Sequence, residues 1–208
     1  MKHVARLALA FWLFTVGAIA ADRFPQLGPD QMTPDQKRVA DAIQSGPRRS
    51  LSGPFNAWLR SPELADRLQK VGEYVRFNTS LPHRLNEFAI LIAARQSTAQ
   101  YEWYAHYRLA IKEGLQPSVA NDVAEERFPA GMNDDEKIVY EFCMQLHQTK
   151  TVKDATFQAA VDKFGEQGVV DLIAVTGYYD LVSMTLNVAQ VPLPAGVSPP
   201  LAPLHANH

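Results

Sequence analysis

Cysteine is nearly missing from this chain of 208 residues: Cys143 stands alone, so no intramolecular disulfide can form. With no bridge available, stability must come from packing and from association of subunits. The lone cysteine lies in Ile138-Val139-Tyr140-Glu141-Phe142-Cys143-Met144, a setting that reads as a small buried hydrophobe. Clusters of basic charge are also missing. The formal net charge is −2, which makes the chain a poor candidate for nucleic-acid binding. There is no Cys-x-x-Cys, no Gly-rich phosphate loop, no Gly-x-Ser-x-Gly elbow and no His-Glu-x-x-His, so dithiol, phosphate-loop, serine-elbow and zincin chemistries have no motif to stand on. No segment of any length alternates with the period of a strand, and no internal repeat is visible.

No apolar run long enough to span a membrane stands at the N-terminus either. Met1-Lys2-His3-Val4-Ala5-Arg6 leads into an uncharged run from Leu7 to Ile19, short of the roughly 20 residues that a spanning helix needs. The small-residue pattern Ala18-Ile19-Ala20 follows, and together these features read as a secretory signal peptide over residues 1–20, cleaved after Ala20. The expectation is an exported protein, periplasmic or secreted, with no membrane contact after cleavage. Loss of Lys2 and Arg6 makes the remaining chain more acidic by two charges. A chain of this length buries roughly 70% of its unfolded surface, enough for one domain with a sizeable core.

What is present is helical patterning. Thr33-Pro34 reads as N-cap and first helical residue, with Val39, Ala42 and Ile43 at helical spacing behind it. Gly46, Pro47, Gly53 and Pro54, with Arg48 and Arg49 among them, predict a loop. Ser61-Pro62 starts a longer amphipathic helix that ends near Asn78, where Asn78-Thr79-Ser80 forms a glycosylation sequon. Pro82 opens a helix whose stretch Phe88-Ala89-Ile90-Leu91-Ile92-Ala93-Ala94 is apolar on every face, as in a helix buried on all sides. Further helices follow from Gln100 to Glu113, from Pro117, from an acidic first turn at Asn133-Asp134-Asp135-Glu136, and from Asp154 to Phe164. Gly114 and Gly165 close two of them. The last helix, Gln167 to Ala189, is expected to bury Val170, Ile173, Ala174, Tyr178, Leu181 and Thr185, with Gly177 at a close helix contact. The Pro-rich end, 192–208, reads as an extended tail. The fold class is therefore all-α: a single helical domain over 55–191 around a central buried hairpin, preceded by a segment, 21–54, that carries one helix.

The titratable groups gather in Leu81 to Gly114. Glu87 directly precedes the apolar run, and a carboxylate there must be paired, hydrogen-bonded or protonated. Glu102 and His106 are four apart on the next helix, so they share a face and can touch. A carboxylate beside an imidazole orients it and raises its basicity, which suits general acid/base work near neutral pH. Tyr101, Trp103, Tyr104 and Tyr107 offer walls for a planar or unsaturated ligand, or simply core. Glu102-x-x-x-His106 is half of a helical metal site, but His83, His147, His205 and His208 are scattered, so no metal and no cofactor is expected.

At this point the chain resembles the carboxymuconolactone decarboxylase family of the alkylhydroperoxidase D-like superfamily. The residues that carry the likeness are Leu81-Pro82-His83-Arg84-Leu85-Asn86-Glu87-Phe88-Ala89-Ile90-Leu91, Ala99-Gln100-Tyr101-Glu102-Trp103-Tyr104-Ala105-His106 and Ala110-Ile111-Lys112-Glu113-Gly114-Leu115, joined by Gly177 to Asn187 and Val191-Pro192-Leu193-Pro194. The superfamily's thiol branch uses a Cys-x-x-Cys pair where this chain has Ala99 and Glu102, so the resemblance disfavours a thiol peroxidase. The decarboxylase branch implies loss of carbon dioxide from a small unsaturated carboxy-lactone without a cofactor. It implies His106 as proton donor or acceptor, Glu102 as its orienter and Glu87 as a second buried acid, on a trimer or hexamer. Arg84 or Arg95 is the expected grip on a substrate carboxylate, with Tyr101 and Trp103 beside it. Export argues for a relative of the namesake reaction, or for a non-catalytic binding or assembly protein on the same helices.

Overall fold

The computed structural model describes residues 22–204. The proposed signal segment, His205 and His208 lie outside the described residues. Among the described residues eight α-helices follow one another: α1 (Pro34–Ser45), α2 (Phe55–Trp58), α3 (Pro62–Phe77), α4 (His83–Gln96), α5 (Gln100–Lys112), α6 (Pro117–Ala124), α7 (Asp134–Thr149) and α8 (Asp154–Ala189). There is no strand among the described residues.

The helix starts follow the capping chemistry of the sequence. Thr33 and Gln36 form a reciprocal capping box at α1, the Asn133 backbone N–H donates to the Glu136 carboxylate at the start of α7, and prolines occupy the first turns of α1, α3 and α6. The four-residue α2 falls just after the expected loop and adds Phe55 and Trp58 to the core. Helix α4 is the axis of the fold. Every residue from Leu85 to Arg95 is buried, because α5, α6, α7 and α8 pack around it while α3 lies against α8 and α1 against α3. Ala99 turns the chain from α4 into α5 through a backbone bond to Ala94, after Thr98 takes a left-handed conformation.

Helix α8 breaks at Gly165, where φ is 71°, so the two helices expected on either side of this glycine are joined end to end. Its inward face is only partly the one that periodicity suggested: Tyr178 is buried as expected and Ala174, Leu181 and Thr185 are half-buried. Val169, Leu172, Val175, Thr176, Tyr179, Val182, Ser183 and Leu186 are buried, whereas Val170 and Ile173 are exposed. Helix α8 is apolar on both sides, and a pattern with two apolar faces cannot say which one meets the core. One window of α8 is long and apolar enough to cross a membrane, yet 56% of that window is buried in the fold. Gly177 makes no close helix contact within the chain, since nothing lies within 4 Å of a Cβ built there. The close approach falls instead at Gly72 of α3, against Tyr178 of α8.

The N-terminal segment and the tail join the same core. Val39 and Ile43 of α1 and Leu201 of the tail belong to one hydrophobic cluster with α4. The tail is thus less free than its prolines suggested: Gln100 clasps the Leu201 backbone through both amide atoms, at 2.8 and 2.9 Å, and Arg95 donates to the Ala202 carbonyl.

Candidate active site

The α4–α5 hairpin sets Glu87 beside His106 although 19 residues separate them, and the helical repeat of α5 sets Glu102 one turn before His106. The imidazole is held between the two carboxylates. Its Nδ1 lies 2.6 Å from Glu87 Oε2 and its Nε2 lies 3.0 Å from Glu102 Oε1. All three residues are buried. Burial by itself would push the imidazole pKa down, but the facing charges and hydrogen bonds of Glu87 and Glu102 prevail and raise it to about 9. At neutral pH His106 is an imidazolium that donates to a carboxylate on each side. The ring of Tyr179 meets the His106 ring edge-on at 5.1 Å.

A cavity of about 150 Å³ opens on this group, with Glu102 and His106 in its wall. Drug-sized ligands occupy about 300–1,000 Å³, so the space suits a smaller molecule. Tyr178, Tyr179 and Val182 of α8 form one side, Arg76 of α3 a second, and the 46–54 loop the third, through Arg48, Ser50 and Ser52. The Arg48 guanidinium lies over Phe55 at 5.1 Å and Phe77 at 5.8 Å, a cation–π setting that holds it in place. Burial, with the charge of Glu102 adding to it, pushes the Tyr178 phenol up to about 12 and raises that of Tyr179 further, so both keep their protons at neutral pH.

Glu87, Glu102 and His106 are thus brought together, and Tyr101 stands at the cavity wall. The other expected residues are not. Arg84 is taken by the start of α7, paired with Asp135 at 2.8 Å and with Glu136. Arg95 is buried on the tail side, 2.6 Å from Glu126. Both guanidinium groups are committed to structural ion pairs, so neither is offered to a ligand in this cavity. Trp103 points the other way along α5 and lines a groove with Tyr107 and Arg108. Within the cluster Glu102 and His106 line the cavity and Glu87 does not; Glu87 holds Nδ1 and Glu102 holds Nε2.

The cations missed by sequence reading, Arg48 and Arg76, come from a loop and from the end of a helix remote in sequence. Only the Arg48-Arg49 pair inside a Gly/Pro loop gave a sign of one of them. Among the described residues, no group of three or more His, Cys, Asp or Glu side chains is arranged to hold a metal ion. Cys143 is buried 3.5 Å from Thr176 Oγ1, and burial pushes its thiol up to about 12. Compared with protein-family models, with curated proteins and with solved structures, the chain has no match in any of the three.

Proposed function

We propose that this chain is a cofactor-independent decarboxylase, or a related lyase or isomerase, that acts on a small unsaturated carboxylic acid or lactone by general acid/base catalysis. In this reading it is an exported, oligomeric relative of the carboxymuconolactone decarboxylases. The observation that carries the proposal is the imidazole clamped between two carboxylates at 2.6 and 3.0 Å in the wall of a small cavity that also holds two arginines. A proton shared among three titratable groups is easily moved, and enclosure strengthens every charge in it.

The chemistry balances without an added reagent. The bond from the substrate carboxylate carbon to the ring or chain carbon breaks, its electron pair passes into a conjugated carbonyl as an enolate, and carbon dioxide leaves. The His106 imidazolium passes its Nε2 proton to Glu102, which delivers it to that carbon or an allylic one while Glu87 holds the ring; His106 then regains a proton from water, so one proton is taken up for each carbon dioxide released. Glu102 is thus the group that meets the substrate, His106 its proton reserve and Glu87 the positioning residue.

The test is carbon dioxide release and ultraviolet change on a panel of small unsaturated acids and lactones. Glu102→Gln and His106→Ala should each lower turnover by about 10²–10⁴-fold with the fold intact by circular dichroism. No turnover on the whole panel by the folded, assembled protein, together with saturable binding of one compound, would favour a non-catalytic binding protein on the same helices.

A further inference from the structure

Several donors around the cavity have nothing to donate to. Arg48 Nε and Nη2, Tyr178 Oη and Tyr179 Oη are buried without a hydrogen-bond partner among the described residues. Tyr178 and Tyr179 are only 7% and 2% exposed, and both line the cavity beside His106. A buried donor left unmet is costly, so several together in one wall need an explanation. Two of them, the Arg48 guanidinium and the Tyr178 phenol, are also close to one another. A Cβ on Gly72 would come within 2.0 Å of Tyr178 Oη and 2.6 Å of Arg48 Nη2, so this glycine makes the room in which phenol and guanidinium meet. The Phe55 and Phe77 rings fix the guanidinium plane before any ligand arrives.

We propose that Arg48, Tyr178 and Tyr179 form the subsite that grips a carboxylate of the ligand, so that the molecule taken is a small organic acid whose anionic end lies against α3 and α8 and whose remainder reaches Glu102. The guanidinium fork suits the two oxygens of a carboxylate, and protonated phenols add neutral donors without repelling it. Glu102 and Glu87 leave the His106 side acidic, so the anion is drawn to the Arg48 side and its uncharged part is left beside Glu102. Arg84 and Arg95, engaged in their ion pairs, have no part in this grip. The inference rests on the reading above for its location and for nothing else, because it is a statement about binding.

The experiment is calorimetric titration of the protein with fumarate, cis,cis-muconate and 2-furoate, with the matching amides and sulfate as controls. At least one carboxylate should bind saturably, the amides and sulfate should not, and Arg48→Gln should weaken binding by about tenfold or more. Tyr179→Phe provides the variant that cannot lose a structural hydrogen bond. It should weaken binding several-fold while leaving the melting temperature equal or higher, since it removes a buried unmet hydroxyl. Absence of binding by every carboxylate, or wild-type affinity in both variants, overturns the grip. Binding without carbon dioxide release on any compound supports the grip and counts against the decarboxylase reading. Turnover that Arg48→Gln leaves unchanged does the reverse.

Discussion

His106 shows how far two neighbours can outweigh burial. The imidazole alone in this interior would be neutral, but Glu87 and Glu102 raise its pKa from 6.5 to about 9. Its folded-state value is therefore above its unfolded value, so its contribution to stability is complete below about pH 6.5 and is lost as pH rises through 9. That contribution is on the order of 3 kcal/mol. Urea unfolding between pH 6 and pH 10 should show wild-type stability falling across that window, with a visibly shallower fall in His106→Gln; equal slopes would mean that the imidazole is not charged in the native state. Cys143 gives a second expectation at this scale. With its thiol pushed up to about 12 and the side chain fully buried, it should resist a thiol reagent in the native protein and react at once in denaturant. The carboxylate–imidazole group was largely readable from the chain, since Glu102 and His106 stand one turn apart and Glu87 abuts an apolar run. The arginines were not. Arg84 and Arg95 sit close to those residues in sequence, but nearness along a helix does not tell which way a side chain turns, and acids on α7 and in the 125–126 turn claim both. Arg48 reaches the site only because the loop after α1 folds over α3.

At the scale of the element, α8 carries the widest gap between pattern and structure. Its break was legible, because Gly165 separates two runs of different character, and there the backbone takes φ 71° and ψ 172°, a region that only glycine enters readily. Its buried face was only partly legible: Tyr178 turns inward as expected, but Val170 and Ile173 on the outward side are as apolar as the residues that meet the core. Two glycines in this helix should therefore respond to the same substitution with opposite sign. Gly165→Ala forces a side chain into that backbone conformation and should destabilise by about 1–3 kcal/mol, although nothing crowds the position. Gly177→Ala lies in regular helix with open space around it and should stabilise the dilute protomer by about 0.5–1 kcal/mol. Chemical denaturation of the two variants at low protein concentration reads both signs, and a stabilising Gly165→Ala would show that α8 does not bend there. Helix α4, in contrast, was read correctly as fully enclosed, since a run without a polar residue on any face has only one place to go.

At the scale of the whole molecule, the outward side of α8 presents Val170, Ile173, Gly177, Met184 and Val188 at helical spacing, flanked by Asp180, and Leu64 of α3 lies beside Met184 and Val188. Val170 is 63% exposed and Val188 60%, which is unusual for a helix whose other face is core. Apolar patches of this continuity on a helix mark places where another chain packs. In the oligomer proposed above, a second copy of this chain would cover the stripe, and the bare Gly177 at its centre would let a helix backbone approach closely. The cavity lies on the opposite, buried side of α8, so assembly through the stripe would brace Tyr178 and Tyr179 from behind without closing the site. Light scattering should therefore return a mass of several protomers, three or six if the family resemblance extends to assembly, and Ile173→Glu should lower it to one while leaving the helical signal unchanged. If that variant also loosens the site, carboxylate binding should weaken along with the mass, whereas a wild-type protein that runs as a monomer at tens of micromolar would leave the stripe without this partner.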